Sequence, residues 1–382
     1  MTLKFPIYLD NQATTPLDPK VLEAMLPFMS GKFGNPHSTT HSYGWEGAAA
    51  IDVAREKIAS LIGAGPEEII FTSGATEANN LAIKGIFGTF KGKKDRIITA
   101  KTEHSCVLES AAAIAADGAD VISLGVGKDG LISLEGLEKN LTDETALVSI
   151  MAVNNEIGVI QPLEEIGKLC RNKGVLFHSD AAQAFGKIPL NVGDMNIDLM
   201  SLSAHKIYGP KGVGALYVRK KVQRLLTPHM AGGGQERGIR SGTLSPALCV
   251  GFGMAAEIAA AEMDAELKRM AAMSAKFLGT LREVLSNATL NGSGKARWPG
   301  NLNLTFPGIN GDLLISNLKN IAISSGAACA SAVEGPSYVL EALGVSEADA
   351  SSSLRIGFGR FTSEEEASYA AEYLRKTVGD LS

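Results

Sequence analysis

Between residues 50 and 220 the chain alternates short apolar runs with longer stretches of helical pattern, and this limits the fold more than any other feature. Runs at 68–72, 96–100, 121–124, 147–152, 175–179, 197–203 and 214–218 read as strands. Stretches at 45–62 and 163–173 between them read as helices. Such alternation produces a mostly parallel, helix-covered sheet. The runs are almost continuously apolar, as expected of strands buried on both faces. The predicted fold class is therefore α/β.

A second region follows. Residues 246–285 are rich in Ala, Glu, Met and Leu and hold no proline after Pro246, which predicts one long helix or two joined. Beyond it, strand-like pieces at 301–306, 321–324 and 354–358 mix with helical patterns at 312–318 and 363–378, an α+β arrangement. Residues 31–44, rich in Gly, Asn, Ser, Thr and His, read as a functional loop. At 382 residues, one large domain with a smaller one is the natural expectation.

Composition removes several classes of function. The net charge, 36 − 41 = −5, argues against coating nucleic acid or a membrane surface. No apolar stretch reads as long enough to span a bilayer, and residues 1–10 carry no secretory pattern. Four cysteines, Cys106, Cys170, Cys249 and Cys329, lack CxxC spacing, which points to free thiols in a reducing compartment.

In a parallel sheet, ligands bind beyond the carboxyl ends of the strands, and the polar residues gather there. Ser73, Gly74, Ala75 and Thr76 sit where a strand gives way to a helix, as an anion site or an ordinary cap. His104 follows the next strand, as a stacking or proton-moving group or a structural residue. Asn154 and Asn155 offer fixed donors and acceptors, or simply make a turn. Asp180 ends another strand, where it needs a protonated partner or caps a helix. Last, Ser201, Ser203 and His205 lead to Lys206, just before the break at 209–212. An amine in such a place can lose its proton and bond a carbonyl carbon. An amine, a carboxylate for a pyridinium nitrogen, a ring-facing histidine and an anion-binding glycine turn together match the needs of pyridoxal 5'-phosphate.

These motifs carry a resemblance. Residues 8–16, 34–38, 71–77, 102–104, 153–158, 180–183, 203–212, 232–243 and 324–329 resemble, in order, cysteine desulfurases of the NifS/IscS type. These belong to the class V aminotransferase group of fold-type I enzymes that use pyridoxal 5'-phosphate. The resemblance implies a large coenzyme-binding domain at 16–258. A small domain, 1–15 plus 259–382, would carry a mobile loop with the catalytic cysteine.

The resemblance also implies roles. Lys206 bonds the coenzyme; Asp180 pairs with its ring nitrogen, Gln183 and Asn155 lie by its ring hydroxyl, and His104 stacks on the ring. Ala75, Thr76, Ser203 and His205 hold the phosphate. Thr243 reaches the phosphate of the other subunit, which implies a homodimer with shared sites. By composition alone, residues 232–243 would pass for a flexible linker, against which Arg237 and Arg240 count. Arg355 and Asn155 bind substrate L-cysteine, the arginine through its carboxylate. Cys329 is the nucleophile that becomes a persulfide, and transient iron–sulfur ligation there is the one metal role considered. Cys170 and Cys249, in apolar helical patterns, read as inert, as does Cys106 with less force because it lies two residues from His104.

The implied function removes sulfur from L-cysteine, releases L-alanine, and passes the sulfur to acceptor proteins for iron–sulfur assembly or tRNA and cofactor thiolation. The expected setting is the bacterial cytoplasm, ahead of a mitochondrial matrix. Rivals are a selenocysteine lyase, another class V enzyme, and a non-catalytic sulfur-carrier subunit. Two departures from the family pattern are Ala204 and the residues Ala332 to Pro336. Many relatives also continue with a tail that engages the iron–sulfur scaffold, whereas this sequence stops at Ser382, which weighs against that particular partner.

Overall fold

The computed structural model describes residues 3–282, 288–325 and 336–381. Its strands are β1 (Ile7–Tyr8), β2 (Ile69–Thr72), β3 (Arg96–Ala100), β4 (Asp120–Leu124), β5 (Thr145–Ser149), β6 (Leu176–Asp180) and β7 (Leu199–Ser203). They continue as β8 (Gly214–Val218), β9 (Thr289–Leu290), β10 (Asn301–Thr305), β11 (Ile321–Ala322), β12 (Ser324–Ser325) and β13 (Ser353–Gly357).

The central sheet has seven strands in the order β2-β8-β7-β6-β5-β3-β4. Pairings from β4 through β7 are parallel, while β8 runs antiparallel to both neighbours. The α/β expectation holds, with one reversed strand that an apolar run cannot signal. Helices include α1 (Pro19–Met29), α2 (Ser42–Ser60), α3 (Ala75–Phe90) and α4 (Ser105–Ala116). The strands β2, β5, β7 and β8 are buried along their whole length, as two-sided covering requires.

Two strand readings are corrected. The run at 147–152 is strand only to Ser149. The chain continues extended toward the site, with the amides of Ile150 and Ala152 bonded to the carbonyls of His178 and Asp180. The run at 321–324 is not one strand. It divides at Ile323, so that β11 pairs with β1 and β12 with β13.

The C-terminal region builds a four-stranded sheet, β12-β13-β10-β9, with antiparallel pairings. One 37-residue helix, Pro246–Arg282, leads to it. Here the reading that no apolar stretch reaches bilayer length is also corrected. The segment Pro246–Leu281 is long and apolar enough to cross a membrane, yet half of its most apolar window is buried inside the protein. It packs on α1, α2 and the helix Glu364–Leu381, so its apolar residues belong to the core.

Candidate active site

Six strands of the central sheet share one direction, so their carboxyl ends open on one side. A cavity of about 620 Å³ lies there. Ser73 to Glu77 reach it after β2, His104 and Cys106 after β3, Asn155 after β5, Asp180 and Gln183 after β6, and Ser203, His205 and Lys206 from the end of β7. The N-terminal segment Gln12 to Thr14 completes the wall.

A single tight turn, Ala204–Lys206, follows β7 and delivers the lysine. Lys206 Nζ donates to the carbonyls of Gln12 at 2.6 Å and Ala13 at 2.7 Å. His205 Nδ1 lies 3.0 Å from Thr14 Oγ1. Burial, with Lys206, Lys211 and Lys187 nearby, pushes the His205 pKa down to about 4, so this ring is neutral at pH 7.

The start of α3 is an open helix end rather than a side-chain-capped one. Its N-cap is Gly74, and no side chain caps the first turn. Helix amides left in this way, together with the helix dipole, favour a negative group. Gly74 adopts φ 157°, ψ 179°, a corner open essentially to glycine. Gly214 is needed beside it: a Cβ there would stand 2.5 Å from the Leu202 carbonyl oxygen and 2.7 Å from the Gly74 Cα.

Two ion pairs fix this turn to the glycine-rich segment at 232–243. Glu77 accepts from the Ser73 amide at 2.7 Å and pairs with Arg240 Nε at 2.7 Å. Burial raises the Glu77 pKa, but the bonds from Arg240 and Ser73 outweigh it and the net shift is downward. Glu236 is buried and takes both Arg55 nitrogens, at 2.9 and 2.7 Å, and the Phe71 amide at 2.6 Å. The segment is therefore anchored to β2, and its linker-like composition is explained by backbone needs: Gly234, Gly238 and Gly242 all have positive φ.

Asp180 is held by a directed chain. Asn79, wholly buried, donates through Nδ2 to Asp180 Oδ2 at 2.7 Å and to Cys106 Sγ at 3.1 Å. Asp180 Oδ1 accepts from the Ala182 amide at 2.9 Å, which makes a turn and not a helix cap. Burial, reinforced by Asp180, pushes the Cys106 thiol up to about 12, so it keeps its proton. That thiol lies 3.1 Å from His104 Nδ1, which also accepts from the Cys106 amide at 3.2 Å. A backbone N–H can only donate, so Nδ1 is the acceptor and the neutral ring carries its proton on Nε2. Burial lowers the His104 pKa, with Asp180 opposing, which favours that neutral ring.

The cavity thus brings together Ala75, Thr76, His104, Asn155, Asp180, Gln183, Ser203, His205 and Lys206. Arg355 does not line it. That guanidinium is buried behind Asn155, donating to its carbonyl at 3.3 Å, to Asp10 Oδ1 at 2.8 Å and to Ser324 Oγ at 3.1 Å. Thr243 is exposed and apart from this cavity. Cys329 lies outside the described residues, as do Ala332 to Gly335. Cys170 and Cys249 are buried, and burial lifts both thiols to about 12, which fits inert residues.

Four participants were given no role by the sequence reading: Gln12, Thr14, Asn79 and Glu103, although all but Asn79 fall within the motifs at 8–16 and 102–104. Glu103 is fully buried, accepts from the Met151 amide at 2.7 Å, and burial holds its pKa well above the usual carboxylate range. A carboxylate inside an apolar strand end was a signal for it. Gln12 and Thr14 sit in a segment whose partners are nearly two hundred residues away, so their motif gave no sign of what they would touch.

Comparison with known proteins agrees with this geometry. The Aminotransferase class-V family profile matches residues 7–369. A protein of Rickettsia akari called cysteine desulfurase IscS is 54% identical over 379 residues, 99% of this chain and 92% of that protein. Its counterpart in Rickettsia bellii is 55% identical over the same shares. Among solved structures, a NifS-like protein superposes with a TM-score of 0.91 at 38% identity, covering 98% of this chain and 100% of its own. SspA in complex with cysteine gives a TM-score of 0.83 at 40% identity, covering 94% of this chain and 100% of its own.

Proposed function

The chain belongs to the aminotransferase class-V family, and from that premise we propose that it is a cysteine desulfurase. It takes the sulfur of L-cysteine, releases L-alanine, and holds the sulfur on Cys329 until an acceptor protein collects it. The observation that carries this reading is the meeting of Lys206, Asp180, Gln183, His104 and the uncapped start of α3 in one cavity.

Pyridoxal 5'-phosphate fits the residues present. The open first turn of α3, with Thr76, Ser203 and the neutral His205, suits a phosphate. Asp180, whose oxygens are oriented by Asn79 and Ala182, suits a protonated ring nitrogen. Gln183 and Asn155 suit the ring hydroxyl, and Lys206 the aldehyde. When bound, this coenzyme supplies an electron sink next to the substrate Cα.

The chain's own groups do the rest. Lys206 Nζ and His104 are the proton-moving groups, the histidine with its proton on Nε2. Arg355, held by Asp10 and Ser324 behind Asn155, supplies positive charge that draws the substrate carboxylate to the Asn155 side of the cavity. The Cys329 thiolate attacks the substrate sulfur. An S–S bond forms as the substrate C–S bond breaks, and the carbon skeleton leaves as L-alanine.

The working unit in this reading is a homodimer in which Thr243 completes the phosphate site of the other subunit. Its acceptors include an iron–sulfur scaffold, and its setting is the bacterial cytoplasm. The test is Cys329→Ser, which keeps the yellow coenzyme-loaded protein and abolishes sulfide release from L-cysteine in the presence of a reductant. Sulfide release that survives this change contradicts the role of Cys329, and a protein that takes up no coenzyme contradicts the whole reading.

A further inference from the structure

Lys187 is a cation that the proposed reaction does not use, yet it is buried beside the cavity. Its Nζ donates to Gln183 Oε1 at 3.0 Å and stands 4.7 Å from the centre of the Trp298 ring. At its other end, the Gln183 amide donates through Nε2 to the Gln12 carbonyl at 2.9 Å. That same carbonyl accepts from Lys206 Nζ at 2.6 Å. The series runs Trp298, Lys187, Gln183, Gln12, Lys206, and Gln12, Gln183 and Lys206 all line the cavity.

The orientation of an amide is ordinarily ambiguous, because its oxygen and nitrogen have nearly the same shape. Here the partners remove the ambiguity. A backbone carbonyl only accepts, and Lys187 in its charged form only donates. Both ends therefore demand the same arrangement: Oε1 on Lys187, Nε2 on Gln12. An amide nitrogen carries two hydrogens, so with one on Gln12 a second remains for a ligand in the cavity that Gln183 lines. Burial and the neighbouring Lys206 bring the Lys187 pKa down to about 7, so carrying this charge here is costly. A residue that only filled space would be better uncharged.

We propose that Lys187 is a positioning residue: it locks the Gln183 amide so that a donor, and never an acceptor, meets the coenzyme's ring oxygen. This rests on the coenzyme reading above. Without Lys187, Gln183 Oε1 is left buried with no donor from this side. A buried acceptor without a donor is costly, which drives the amide toward other arrangements.

The test compares Lys187→Met and Lys187→Arg in coenzyme-loaded protein, reading the pH midpoint of the coenzyme's visible absorption band. Methionine keeps the apolar stem against Trp298 and removes the donor; arginine keeps a donor. The methionine variant is expected to raise the midpoint by about one pH unit, since losing a hydrogen bond to an oxyanion disfavours that anion. The arginine variant is expected to stay nearer the unaltered value. In a Gln183→Ala background, Lys187→Met is expected to shift nothing further. A shift that persists there means that Lys187 acts by its charge alone, and no shift in the parent background means that it does not act; either overturns the proposal. Protein that binds coenzyme but ignores Lys187 sinks this inference alone, whereas protein that binds none sinks the coenzyme reading. A neutron structure of the unaltered protein reads the lock without any substitution. Deuterium on the Gln183 atom facing the Gln12 carbonyl supports it, and an oxygen there overturns it.

Discussion

Glu156 is a buried carboxylate whose protonation sets how stability changes with pH, and Glu156→Gln isolates its effect. Burial raises its pKa from 4.5 to about 7, although the hydrogen bond from Ser337 and the charge of Arg355 pull the other way. A carboxyl whose folded pKa lies above its unfolded one binds its proton more tightly when folded. Its stabilising contribution is fully present below pH 4.5 and is lost as the pH rises through 7. Between pH 5.5 and pH 8 those two values give a loss of about 2 kcal/mol. With about 2.1 cal/mol/K of unfolding entropy per residue, 382 residues give about 0.8 kcal/mol/K, so the loss corresponds to about 2–3 °C in Tm. Glutamine keeps the shape and cannot ionise. Thermal melts of both proteins at the two pH values should therefore show the unaltered chain losing about 2–3 °C more than Glu156→Gln on the alkaline side. If the two proteins fall in parallel, or the variant falls further, Glu156 is already charged at pH 5.5 and the reasoning fails.

Other outcomes follow from the same contacts. Glu236→Ala leaves Arg55 buried without its partner and removes the acceptor of the Phe71 amide. It should cost about 3–5 kcal/mol, a fall of about 4–6 °C in the same melt. Asp180→Asn removes the charge that meets the ring nitrogen, and fluorescence titration should show coenzyme binding weakened by about tenfold or more.

Much of this site was legible because a parallel sheet puts the ends of its strands together. Asp180, His104 and Lys206 are far apart in sequence, yet each follows an apolar run, and the rule for such sheets places them in one cavity. The same logic could not supply Gln12 or Thr14, which enter by tertiary packing and follow no long apolar run. Asn79 belongs to the buried face of α3, where a polar residue among Ala78, Leu81 and Ala82 was the available sign. Glu236 was hidden by glycine-rich surroundings that read as a linker, while burial and its Arg55 pair make it an anchor. Strand direction was not legible for β8, since an apolar run has the same composition read either way. The split of 321–324 between two sheets was equally hidden, because partner choice is decided by β1 and β13. Arg355 was read, through the resemblance, as the binder of the substrate carboxylate. Its place behind Asn155 follows from its pairing with Asp10, a contact across 345 residues.

The proposed chemistry depends on a covalent bond between the coenzyme and the amine at the end of β7. Borohydride reduction of the coenzyme-loaded protein, followed by peptide mass mapping, tests it most directly. The adduct is predicted on Lys206 and to vanish in Lys206→Ala. An adduct on Lys187 or Lys211, which also lie at or beside the cavity, or no adduct in yellow protein, would contradict it.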